Sequence, residues 1–553
     1  MNVFKTTFSD FRIVNCLGSG ISAHTMALWN WVFWKRVRRS PPVIPYLWLL
    51  GLGLLILVML RVMLPALLWI FPPSRIRDQN TLEDFVGTLA QVLSGVLGFT
   101  ISVVAIVVQL SAGRFTPKVT ELFLREKVNF FMILFLIVAN LVSVWTSLAF
   151  SFIEKPIALV IINLILGTLS FVLLIPYFIF VFNFLRPNSI INKIEQQIRQ
   201  AVIDYCERTQ IKNQIIPAHC QCLSALDELK GIANSAIQQR ESPIVLEALD
   251  SLKTFALFYG DYKCKLSEEW FSLTQPLRRD LDFVSVDDAT LREIQTKKLW
   301  LEVKIFRQYQ SIFTDSLNEF REACFIIGIN TREMAEQAFQ RNELEMVNLA
   351  VKSFNTYLRA VIDTQDIRTG YNIVKQYRLV AEAALQKHHE PVVLDIAEHF
   401  RYYSLLAYKA GPLFLPETLS FDLSLLAQQC CEYHSDISAK VLEFFLKIDQ
   451  DPESENHEHT LRGVRKSQVK LAAYYLKAGY KHLAYEIFKD MKHEPRSRLK
   501  IIYDELQSAR ADFWEFRDRG GNFYYVEPEL KPFLAEFFSW FEPPTNNSLD
   551  NKL

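Results

Sequence analysis

Apolar residues come in long, nearly unbroken blocks over the first third of the chain and at helical spacing over the rest. Four blocks, at 46–71, 85–110, 128–152 and 157–185, are long enough to cross about 30 Å of hydrocarbon, which takes roughly 20 residues. Between them lie the short stretches PPSRIRDQNTLED, SAGRFTPKVTELFLREK and IEKP, which predict breaks between helices. From about Ser189 the pattern changes to apolar positions three and four apart, beginning with INKIEQQIRQAVIDYCERTQIKNQ, and strand-like alternation is scarce. Helical runs recur at hairpin length, broken at QRESP, KHHEP, KAGPLFLPE, DQDPESENHEH and KHEPRS. Between Gln468 and Arg496, residues Ala472, Tyr475, Gly479, Ala484 and Phe488 hold the small and aromatic positions of a tetratricopeptide repeat, and Pro495 closes the unit. NLAVKSFNTYLRAV is a weaker echo. The pattern predicts an all-α polytopic membrane protein. Its parts are an N-terminal segment over 1–45, four transmembrane helices over 46–188, a helical-repeat domain over 189–541 and a polar, disordered tail over 542–553.

The second block has a pattern of its own. Thr88, Gln91, Gly95, Gly98, Ser102, Ala105 and Gln109 follow one another at alternating spacings of three and four, which sets all seven on one side of a helix. From Gln91 to Gln109 that side rises about 27 Å, nearly the whole hydrocarbon thickness. Two readings stay open. Small residues let helix backbones touch, so the stripe is a packing face; or it lines a water-filled pathway in an oligomer, where Gln91 and Gln109 meet water rather than lipid. In the second reading SAGRF forms the cytoplasmic mouth: Gly113 permits a sharp exit, Arg114 supplies charge, and Phe115, Thr116, Pro117 and Lys118 lead into the next helix. In the first, Arg114 reaches lipid headgroups. Arg61, the one charge inside a span, precedes Pro65 by four residues and is read either as a functional intramembrane charge or as a side chain that snorkels outward.

Charge orients the spans. The 553 residues are neutral in sum, with 60 Lys and Arg against 60 Asp and Glu. Residues 1–190 carry 15 basic against 7 acidic groups, leaving 45 against 53 in the remainder. Lys35, Arg36, Arg38 and Arg39 precede the first span, and Arg114, Lys118, Arg125 and Lys127 follow the second. Both termini and the 111–127 loop are therefore expected in the cytoplasm, although Arg75 and Arg77 lie on the outer connection. Tryptophans beside the first basic cluster fit an interfacial helix or a juxtamembrane anchor. An acidic soluble part does not suit a nucleic-acid binder.

The stretch GFTISVVAIVVQLSAGRFTPKVTELFLREKVNFFMILFLIVANLVSV resembles a bacterial family of predicted membrane proteins, catalogued as domain of unknown function 2254. The resemblance covers residues 46 to about 200. It rests on a hydroxyl-rich helix, a Gln near its end, the aromatic–hydroxyl–Pro–basic order of Phe115, Thr116, Pro117 and Lys118, and Asn129 at the entry to the next span. Of the family's soluble motif, RESPIVLEAL keeps Ser242-Pro243 alone. The resemblance implies a bacterial inner-membrane architecture and no particular chemistry.

Candidate chemistry is sparse. His219, Cys220 and Cys222 in HCQC lack a second ligand pair at zinc spacing. HEH at 457–459 reads as a solvated loop, GSGISA from Gly18 has no preceding strand, and the eight scattered cysteines suit a reducing compartment. No nucleophile or phosphate loop of recognised form appears, so neither catalysis, metal nor cofactor is expected. The expected function is a homo-oligomeric channel or transport-like pore lined by the second span. The alternative is a membrane-anchored scaffold whose repeats recruit a cytoplasmic protein or peptide.

Overall fold

The computed structural model describes residues 79–541, apart from 115–117, 125, 151, 153–156, 208–214, 412, 449–454, 513–518 and 520. The expected first span, Arg61, the N-terminal segment, the tail, and Phe115, Thr116 and Pro117 lie outside the described residues. Among those described, every regular element is helical. Two compact units divide the chain: one reaching to Arg186 without 113–118, the other comprising those six residues and everything from Pro187.

α1 spans Gln79–Arg114, α2 Lys118–Leu124, α3 Lys127–Ala149 and α4 Ile157–Phe184, all in the first unit but for Gly113, Arg114 and Lys118. Three windows within it, Leu82–Ser111, Lys127–Ala149 and Leu159–Phe184, are long and apolar enough to cross a membrane. α1 differs from expectation at both ends. Its 36 residues rise about 54 Å, so the helix runs well beyond hydrocarbon thickness. Residues 79–84 were expected in a connection; they hold no Gly or Pro to stop a helix and extend α1 instead. Gly113 likewise lies inside the helix, so the exit follows Arg114 instead of turning at the glycine.

In the second unit α5 (Pro187–Glu207), α6 (Ile215–Gln238) and α7 (Ser242–Lys263) pack mutually. Short α8 (Gln275–Arg279) and α9 (Asp288–Thr296) lead into a regular stack: α10 (Trp300–Ser316), α11 (Arg321–Gln340), α12 (Leu344–Thr364), α13 (Ile367–Gln386), α14 (Glu390–Ala410), α15 (Phe414–Glu432), α16 (Ser438–Leu446), α17 (Glu455–Lys477) and α18 (Lys481–Met491). α19 (Arg496–Ser508) and α20 (Lys531–Ser539) close the unit. Alternate helices touch. α7, α11, α13, α15, α17 and α20 form one layer, and α10, α12, α14, α16 and α18 the other. This is a helical solenoid.

Its period comes from its turns. Asn342, Gln365, His388, Gly411 and His434 adopt positive φ, each 23 positions after the last. A left-handed residue at each helix end reverses the chain after about six turns of helix. Two helices make a 46-residue repeat, and side chains recur at that interval. Arg332 donates to Gln376 and pairs with Glu336; Arg378 pairs with Asp422 and Glu382. The hairpin expected between Gln468 and Arg496 is α17–α18, with Gly479 at φ +85° in its turn, Ala472, Tyr475 and Ala484 fully buried, and Pro495 capping α19. HEH at 457–459, expected as loop, opens α17 instead; His459 Nδ1 lies 3.4 Å from Glu417.

Candidate functional site

The membrane unit is built on seven-residue spacing. In α3, Asn129, Leu136 and Ser143 alternate with Met132, Ala139 and Thr146, and all six are buried. In α4, Asn163, Ser170, Tyr177 and Phe184 are buried at the same interval. Two helices with this repeat pack along a single seam. Two polar pairs bridge the seam: Tyr177 Oη donates to Asn129 Oδ1 at 2.6 Å, and Ser143 Oγ donates to Asn163 Oδ1; Thr146 and Ser170 donate instead to carbonyls of their own helices. Towards α1, Asn140 Nδ2 donates to Ser94 Oγ at 3.0 Å, and the Ser94 hydroxyl reaches the Ala90 carbonyl at 2.9 Å. Gly167 makes room for the Leu89 side chain of α1; a Cβ there would stand 3.2 Å from it. Each pairing satisfies groups that would be costly in hydrocarbon.

α1 turns one face inward and the stripe outward. Val86, Ala90, Leu93, Thr100, Val104 and Val108 are buried. Thr88, Gln91, Gly95, Gly98, Ser102, Ala105 and Gln109 are all exposed. The two sets are offset by one or two residues, about 150° around the helix on average, so the stripe lies away from the buried face. A Cβ on Gly95 or Gly98 would meet nothing within 4 Å. Thr88 and Ser102 donate back to the carbonyls of Asp84 and Gly98, at 2.8 and 2.9 Å. The hydroxyls are thus satisfied within the helix, whereas the Gln91 and Gln109 amides project from an exposed face. At the motif after α1, the backbone places Arg114 as the last residue of that helix and Lys118 as the first of α2.

Sequence reading had singled out the stripe and Asn129. It missed Tyr177, Ser143 and Asn163, whose signal is the seven-residue spacing of polar residues within otherwise aliphatic spans.

In the second unit the HCQC residues are split by helix geometry. His219 and Cys222 are buried while Cys220 is exposed. The His219 ring is held between Thr274 Oγ1 (2.8 Å) and the Trp270 carbonyl (3.0 Å) against the Trp300 ring. Burial pushes the His219 imidazole down to about 4 and the Cys222 thiol up to about 12, marks of a packed interior. Among the described residues no three His, Cys, Asp or Glu side chains are grouped to hold a metal. The buried Lys304 ammonium meets Asp227, Asp280 and Asp282 at 2.6–2.8 Å, an ion-pair cluster tying α6 and α10 to the 280–282 turn.

Comparison with known proteins agrees with the resemblance seen in the residues. The family model described as "Predicted membrane protein (DUF2254)" matches residues 38–240. No curated protein matches. Among solved structures, a chain described as "Circular tandem repeat protein with novel repeat topology and enhanced subunit contact surfaces" is 14% identical. That match covers 64% of this chain and 95% of the other at a TM-score of 0.29, too low to bear on fold or function. This is a membrane protein with a helical-repeat unit.

Proposed function

We propose that the chain is a homo-oligomeric pore of the bacterial inner membrane, with α1 of each copy lining the pathway and both termini in the cytoplasm. The observation that supports this reading is the outward-facing stripe. A helix that has already found its partners on one face carries two amides and five small or hydroxyl residues on the opposite face, across the membrane's depth. Amides facing lipid would lose several kcal/mol each to unmade hydrogen bonds. Several copies around an axis give them water and each other. Arg114 and Lys118 then bracket the cytoplasmic mouth, where a ring of basic groups favours anions. The proposal includes no catalytic step and no cofactor.

A single set of variants tests it. Cysteines at Gly98 and Ser102 are expected to react with small water-soluble thiol reagents, and reconstituted protein to conduct ions. Ser102→Phe is expected to reduce the flux while leaving the oligomer intact. If assembled protein passes no ions and position 102 stays unreactive, the stripe is a packing face; Gly98→Leu then breaks the oligomer by separating backbones that must touch.

The 46-residue repeat favours a second reading, in which the solenoid recruits a protein partner and the membrane unit anchors it. Stacked hairpins of this kind form extended binding surfaces.

A further inference from the structure

One face of the solenoid is already occupied. Arg519 and residues 521–526 have no regular structure and lie across three successive helices of one layer, α13, α15 and α17. Arg519 Nη1 pairs with Asp422 at 2.8 Å, its guanidinium stacks 4.3 Å from the Tyr371 ring, and Nη2 donates to the Tyr371 carbonyl. Phe523 stacks on Phe421 with centroids 3.9 Å apart. Tyr524 Oη donates to Glu417 at 2.6 Å, and Lys466 sits 4.0 Å over the Tyr524 ring. Lys470 Nζ donates to the carbonyls of Phe523 (2.9 Å) and Tyr525 (2.6 Å).

These contacts combine side-chain anchors with main-chain capture, the way a groove reads an extended peptide. Asp422 reads a guanidinium, the Phe421–Tyr371 surface reads an aromatic ring four positions on, and Glu417 reads the phenol after it. Lys470 holds the backbone without regard to sequence. The two carboxylates of the groove also keep polar partners when the segment is removed, whereas Lys470 gives up the two carbonyls it holds. Asp422 retains Arg378 at 3.0 Å, Glu417 retains His459 at 3.4 Å, and Lys466 retains Glu505. An empty groove therefore leaves neither of its buried carboxylates alone.

We propose that the α13–α15–α17 face is a recognition groove for an extended peptide of pattern Arg-x-x-x-Phe-Tyr, occupied in cis by Arg519 and residues 521–526, and that a partner protein carrying this pattern binds by displacing them. The proposal gives the scaffold reading its chemistry and is independent of the pore.

The test uses the full chain in detergent and a labelled nine-residue peptide, RGGNFYYVE, copying 519–527. With Arg519→Ala and Phe523→Ala together the cis competitor is weakened, so the peptide is expected to bind at least about tenfold more tightly than to the unaltered chain. Replacing the peptide's arginine by alanine, or Asp422→Asn in the groove, is expected to remove at least about tenfold of that affinity. A folded double variant that does not bind the peptide, or equal binding by both chains, overturns the proposal. Hydrogen exchange on the unaltered chain decides the matter should the variant unfold. Excess peptide is expected to raise exchange of the 521–526 amides several-fold while α15 stays protected. Unchanged exchange in those amides overturns it.

Discussion

The two units apply the same helical periodicity with opposite sign. In the membrane unit the large apolar side chains point outward: Leu110, Trp145 and Ile175 are 68–69% exposed, while Asn129, Ser143, Asn163 and Ser170 are buried. In the solenoid Trp270, Trp300 and Phe313 are buried, and most charged residues are exposed. Water drives the second arrangement, because burying apolar area is favourable there. Lipid removes that drive, leaving close packing and hydrogen bonds to select which face turns inward. A buried aromatic should therefore matter greatly in one unit and an outward aliphatic little in the other. Phe354, fully buried and stacked 4.9 Å from the Tyr377 ring, is expected to cost about 3–5 kcal/mol on substitution by alanine. Ile175→Ala, on the outer face of α4, is expected to cost about 0.5 kcal/mol or less. Chemical unfolding of the full chain in detergent checks both; similar losses would break the comparison.

The same contrast explains what the sequence disclosed. Long aliphatic blocks have one physical meaning, so the spans over 85–110, 128–152 and 157–185 were legible to within a few residues, except where polar 79–84 continued α1. The stripe was legible because three-and-four spacing needs no knowledge of neighbours; which way it faces is a property of packing. The 23-residue period escaped because Asn342, Gln365, His388 and His434 take left-handed turns usually marked by glycine. Among the described residues only Gly411 and Gly479 gave that signal, and the second led to the one hairpin recognised from its residues. The occupied groove was beyond reach, since Arg519 lies 97 positions from Asp422 and 148 from Tyr371. No local pattern joins them.

Acid should separate the units as well. No histidine falls between residues 79 and 186, whereas His219 is buried in the second unit. Its folded-state value is pushed down to about 4 by burial, with the Trp270 carbonyl pulling the other way, against an ordinary value of 6.5. Above pH 6.5 the imidazole is neutral whether folded or unfolded. As pH falls from 6.5 towards 4 only the unfolded chain takes up the proton, so stability is lost through that window, by about 3 kcal/mol in all. Thermal unfolding at pH 7 and pH 5 is expected to show a larger drop for the native chain than for His219→Asn. Parallel drops would mean that other groups carry the acid sensitivity.

The smallest expected difference concerns single hydroxyls. Tyr177 Oη donates to Asn129 inside the membrane unit, and Tyr309 Oη donates to the Leu249 carbonyl at 3.0 Å inside the solenoid. Intuition gives the larger value to the bond in lipid, where water offers no replacement. The unfolded reference points the other way, because a chain still held in the bilayer finds other partners for a freed hydroxyl. Tyr177→Phe is therefore expected to cost about 0.6 kcal/mol, within the range for interhelical bonds in membranes. Tyr309→Phe removes a buried bond from a unit whose unfolded chain is fully hydrated. The Leu249 carbonyl keeps Asn330 as a donor at 3.3 Å, which limits the loss to about 1 kcal/mol. Unfolding of the two variants in the same detergent compares them directly. A clearly larger loss at Tyr177 would show that the membrane unit relies on its polar seam more than on its packing, and would shift attention from Gly167 to Asn129 and Asn163 as the residues that set its helix order.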